Sequence, residues 1–156
     1  MTTQVQKTGY STFLLAGILL LLGSSAAFAQ DLVSIYWDEA YLTNETTTSA
    51  PYEMLTGHLV IMDPTVGGGI LGWECEVDIE GPGLATGWSI AGQAINAQTP
   101  PRFAVGLAAP LPPAAATEVA TFELIVTEVQ TVRVKLKPIY FASIPNEMAY
   151  LGGDLP

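Results

Sequence analysis

The five residues Gly87-Trp88-Ser89-Ile90-Ala91 come within one glycine of the G-x-S-x-G nucleophile elbow. An elbow needs a strand before the serine, a sharp turn at it and a helix after it, and then a base to take the serine proton. Ser89 instead lies between β-type residues, nothing after it has helical period, and the single histidine, His58, precedes it. The segment therefore reads as a strand. His58, within Gly57-His58-Leu59-Val60, reads as a strand residue that faces solvent or is satisfied by a neighbour. A zinc centre would need further His or Cys ligands, and Cys75, the one cysteine, cannot complete the usual set of four. The D-x-[DN]-x-[DN]-G pattern is absent, which excludes an EF-hand. Calcium held by carboxylates from separate loops has its candidates in Asp38, Glu39 and Asp63, all near strand ends. No catalytic residue and no resident cofactor is expected, with structural calcium the one open option.

Sugar chemistry leaves a weaker trace. Glycosidases set two carboxylates across a glycosidic bond. Among 15 acidic residues some pair always falls at a suitable distance, so a pair without a cleft carries no information. Trp37, Tyr41, Trp73, Trp88, Tyr140 and Tyr150 would stack on a sugar if exposed together on one face, whereas aromatics in alternating strands ordinarily belong to the core. Asn44-Glu45-Thr46 is a formal glycosylation sequon in a polar loop and matters only in a host that glycosylates exported proteins.

The elements behind these residues are short β-type runs broken by glycine, proline and polar turns. Residues 32–37, 55–62, 70–80, 88–97, 102–107, 119–127 and 132–137 read as seven strands. Gly87 and Gly92 mark bulges, and the tail over 138–150 holds an eighth strand broken by Pro145. Residues 110–117, PLPPAAAT, read as a rigid connection with room for one helical turn. Trp73 to Glu80 alternates throughout: Trp73, Cys75, Val77 and Ile79 point one way, and Glu74, Glu76, Asp78 and Glu80 point the other. Val132 to Lys137 alternates too, with Arg133, Lys135 and Lys137 on one face. Two arrangements of these charge rows are open. Side by side in one sheet they neutralise each other. On opposite sheets they leave Glu74, Glu76, Asp78 and Glu80 as an acidic face free for a cation or a basic partner.

The N-terminal residues specify a compartment. Lys7 precedes an apolar run, Phe13 to Leu22, and Ala27-Phe28-Ala29 has the small-residue form that a signal peptidase cleaves. Residues 1–29 therefore read as a signal peptide, too short in its apolar part to span a bilayer, which takes about 20 residues. No cysteine follows the small residues to accept a lipid, and no second apolar run has spanning length. Cleavage leaves residues 30–156, one domain, secreted or periplasmic. Its four cations, Arg102, Arg133, Lys135 and Lys137, face all 15 carboxylates, a formal charge of −11. Such a surface repels phosphate backbones and anionic lipid, which argues against nucleic acid and membrane-surface partners. One cysteine allows no intramolecular disulfide, so stability must come from the apolar core.

Leu71 to Gly81 (LGWECEVDIEG), Phe103 to Leu107 (FAVGL), Ala120 to Glu128 (ATFELIVTE) and Pro138 to Pro145 (PIYFASIP) resemble segments of a family of small exported bacterial β-sandwich proteins of unassigned function. More distantly, their order is similar to cohesin-like modules and the related carbohydrate-binding sandwiches. That resemblance implies a nine-stranded jelly roll and, for cohesins, binding to a dockerin on an extracellular scaffold. Departing from that setting, the chain reads as one module with no repeated copies and no evident linker or wall anchor. Its strands and turns, with no segment of helical period, lead to an all-β expectation: one antiparallel β-sandwich of jelly-roll or immunoglobulin-like kind, over residues 30–156. The expected function is a non-catalytic module that binds another exported or surface protein or joins a surface assembly, with a carbohydrate-binding module as the alternative. Three coplanar exposed aromatics would favour sugar, and a flat apolar or charged face would favour protein.

Overall fold

The computed structural model describes residues 31–154. The signal-peptide expectation falls on residues 1–29, outside the described residues. Every regular element among those described is a strand. They are β1 (Leu32–Tyr36), β2 (Met54–Met62), β3 (Ile70–Glu80), β4 (Gly83–Ile90), β5 (Ala94–Asn96), β6 (Arg102–Leu111), β7 (Ala116–Val126), β8 (Arg133–Lys137) and β9 (Ala149–Gly152). One antiparallel sheet has the order β1-β2-β7-β4; the other runs β5-β6-β3-β8, and β9 also pairs with β3. The two share one apolar core, as in a β-sandwich. No helix among the described residues is long and apolar enough to cross a membrane.

Alternation is what makes these sheets two-faced. Trp73, Cys75 and Val77 of β3 meet Phe103 and Val105 of β6 and, from the other sheet, Phe122 and Leu124 of β7. Phe103, Phe122, Leu59 and Ile70 are almost wholly out of contact with water. Each such side chain contributes about 1.5–3 kcal/mol by leaving water. Gly57 of β2 stands directly under the Phe122 ring, where any β-carbon would collide with it.

Several boundaries differ from the sequence reading, for local reasons. Strand β4 begins at Gly83, earlier than expected, because Gly81-Pro82-Gly83 is a tight turn that ends β3 at Glu80 and carries the chain at once into the other sheet. Gly87 is a bulge: its φ is +61° and the β4–β7 register shifts between Thr86 and Ser89. Gly92, at φ +72°, divides the expected single strand into β4 and β5. Strand β6 continues through Pro110 to Leu111, and no helical turn forms between it and β7. The last strand lies wholly beyond Pro145. It is pinned by Tyr150, whose hydroxyl donates to Asp31 Oδ2 at 2.7 Å while Asp31 also accepts from Thr65.

Candidate binding surfaces

The two charge rows lie side by side. Strands β3 and β8 pair so that Glu76, Asp78 and Glu80 stand opposite Lys137, Lys135 and Arg133. Two of the ion pairs are diagonal, and Lys137–Glu76 runs straight across. Lys135 Nζ reaches Glu80 at 2.6 Å, and Lys137 Nζ lies 3.3 Å from Asp78 and 3.5 Å from Glu76. Asp78, then Glu76, hold the Lys137 ammonium above its ordinary value. Glu74 accepts from the Ser143 N–H at 2.7 Å and its hydroxyl at 2.9 Å. The candidate acidic face Glu74, Glu76, Asp78 and Glu80 is thus engaged along its whole length by the protein itself.

His58 is satisfied by a neighbour. Its Nδ1 lies 2.6 Å from Glu118 Oε2, which also accepts from the Tyr41 hydroxyl at 3.2 Å. Burial, and then the Glu118 charge, raise the Tyr41 phenol above its ordinary value. Ser89 is exposed on β4, in a strand and not an elbow, with Thr121 of β7 opposite it. Thr121 in turn stands opposite His58, so a whole strand separates the serine from the imidazole.

The calcium candidates do not converge. Asp38 turns into its own loop, accepting from the N–H groups of Ala40, Leu42 and Thr43. Hydrogen bonds from the Thr43 side chain, and then from loop N–H groups, hold its carboxyl below the usual range despite some desolvation. Among the described residues no three His, Cys, Asp or Glu side chains form a group that could hold a metal ion.

Of the six candidate aromatics, the three tryptophans turn inward. Trp73 packs on Phe103 at a centroid distance of 5.2 Å, and Trp88 sits between Phe103 and Phe122 at 4.9 and 4.6 Å. Trp37 meets the edge of Phe122. Tyr41 and Tyr150 are half-buried and hydrogen-bonded to carboxylates. Tyr140 alone is open to solvent, at 85% exposure. Its neighbour Phe141 is 82% exposed and stands at 78° to it, so the pair makes an angular knob and not a flat platform. Ile144, 48% exposed, adds to the same loop. Buried Ile139 and the Glu74–Ser143 bonds hold this loop onto the second sheet. Phe141 and Ile144 were not singled out by type or spacing. The available signal was a non-alternating apolar run trapped between Pro138 and Pro145, which no strand can bury.

One concavity was invisible in the sequence. An open cleft of about 930 Å³ separates β1 from β8. Its walls include Val33 and Ile35 on one side and Val134 and Leu136 on the other, with Leu55 and Leu124 in its floor. Asn44 to Thr48, with the carboxylate of Glu45, and Arg133 and Lys135 line its polar parts. No family model, no curated protein and no solved structure matches the chain.

Proposed function

We propose that this protein is an exported, non-catalytic β-sandwich module, of jelly-roll or immunoglobulin-like kind, that binds another exported or surface protein or joins a surface assembly. The observation that carries this reading is the Tyr140–Phe141–Ile144 knob. Two almost fully exposed aromatic rings gain nothing from folding, and aromatic anchors of this type dominate protein–protein contacts. The engaged acidic row and the separation of Ser89 from His58 support a binding role over a catalytic one. The angular geometry of the knob, and the inward turn of the tryptophans, favour a protein over a sugar.

A photo-crosslinking amino acid in place of Phe141 tests the reading in the cells that make the protein. A discrete protein adduct outside the cytoplasm is expected, weakened when Tyr140→Ala is added. The same crosslinker in place of Thr86, on the outer face of the other sheet, should give none. Retention on polysaccharide, lost on Tyr140→Ala with no protein adduct, would replace this reading with the carbohydrate-binding one.

A further inference from the structure

We infer that the cleft between β1 and β8 is a strand-acceptor site for an extended segment of a partner protein, apolar at every second position and acidic between, which pairs with the free edge of β8. The inference rests on the protein-binding reading and names a second surface for it.

The pattern of lining residues carries the argument. A ligand lodged between two sheets would touch only inward side chains, every second residue of a strand. Here consecutive residues line the cleft: Val33, Ser34 and Ile35 of β1, and every position from Val132 to Leu136 on the β8 side. The strand edges themselves are therefore open to the cleft. Strand β8 pairs with β3 on one side only, and β1 pairs only with β2. Each is five residues long, about 17 Å of extended chain. An added strand would find backbone donors and acceptors along that length, the basis of strand addition.

The side chains specify what the strand should carry. Val132, Val134 and Leu136 recur with period two and remain only half-buried, whereas Trp73, Cys75 and Val77 on neighbouring β3 are buried. Apolar residues at alternate positions of an incoming segment would complete this cover. Arg133 supplies the charge. It stands opposite Glu80, but that carboxylate is taken by Lys135 at 2.6 Å. Among the described residues Arg133 has no ion-pair partner, while Lys135 and Lys137 both do. Glu45, the one carboxylate lining the cleft, makes no ion pair with Arg133, and an unpaired cation at the cleft rim, in a chain of net charge −10, favours an acidic side chain on the incoming strand.

The test is to pan a phage-displayed dodecapeptide library against the mature chain, residues 30–156. Enriched peptides are expected to alternate apolar residues and to carry Asp or Glu between them. Arg133→Glu should weaken a synthetic copy about tenfold with an unchanged unfolding midpoint, and Arg133→Lys should largely restore it. Methylating every second backbone nitrogen of the peptide should abolish binding in one of the two registers, because each methyl removes a ladder donor. No enriched peptide, peptides without alternation, or binding indifferent to both Arg133→Glu and N-methylation would each overturn the inference. So would a fluorescent long-chain fatty acid that binds the cleft and is not displaced by the peptides. Peptides lost only on Tyr140→Ala would overturn it while leaving the protein-binding reading intact.

Discussion

The two long sides of the sandwich are finished differently. On the side of β4 and β6, Trp88 wedges between Phe103 and Phe122, one ring from each sheet, and the gap is filled. On the side of β1 and β8 valines, an isoleucine and a leucine face one another, Trp37 also lines the gap, and a cleft remains. The same alternating pattern lines both sides. What differs is where the large side chain sits: Trp88 is held between rings of both sheets, whereas Trp37, on the cleft side, meets only the edge of Phe122 from its own sheet.

The sharpest way to break this comparison is to remove the wedge. Trp88→Ala should cost ~3–5 kcal/mol, read as a large fall in the urea unfolding midpoint. Val134→Ala, on the open side, should cost about 1 kcal/mol or less, since its removed atoms already touch solvent. Equal losses would mean that the cleft is closed in solution.

The thiol of Cys75 extends the contrast to pH. Burial, with the nearby Glu76 charge adding, pushes it from its ordinary 9.0 up to about 12. The folded state keeps this proton where the unfolded state has lost it, so stability is full below pH 9 and falls by about 1.4 kcal/mol per unit towards pH 12. Tyr41 and Tyr150, both raised above 10.0, act in the same sense at higher pH. Cys75→Ala should flatten the pH 9–10 part of the unfolding curve. On the open side, a thiol introduced by Val134→Cys should react rapidly in the native protein, while Cys75 should wait for unfolding.

Gly57→Ala sets a β-carbon against the Phe122 ring on which Trp88 stacks, and should cost ~1–3 kcal/mol by overpacking. In Trp88→Ala, where the ring has room to move, the same change should cost less; strict additivity would refute the shared packing. The smallest effect belongs to the β3–β8 ladder. Its partners are about half exposed, so Lys135→Ala should cost ~0.2–1 kcal/mol at low salt and almost nothing at 1 M salt.

Legibility followed how local each cause was. The run Trp73 to Glu80 announced its two faces because it is a central strand whose inward side is buried from Trp73 to Val77. Ser89 and His58 could be set aside because an elbow has a local requirement the segment lacks. The β4 start was missed because Gly-Pro-Gly closes one strand and opens the next within three residues. The adjacency of the charge rows stayed undecided, because pairing joins β3 to a strand more than fifty residues away. The cleft had no local signature at all. Val134 and Leu136 look like any core-facing pair, and only the distance to β1 across the sandwich leaves them half covered.

An exposed strand edge is also an aggregation hazard, since a second molecule can pair with it. The β8 edge carries a built-in veto. If two copies met there antiparallel and centred, Lys135 would oppose Lys135, and Arg133 would oppose Lys137. Like charges set directly opposite are unfavourable. The cations that order the sheet from within therefore discourage open-ended fibre growth from without, and they leave that edge available to sequences unlike its own.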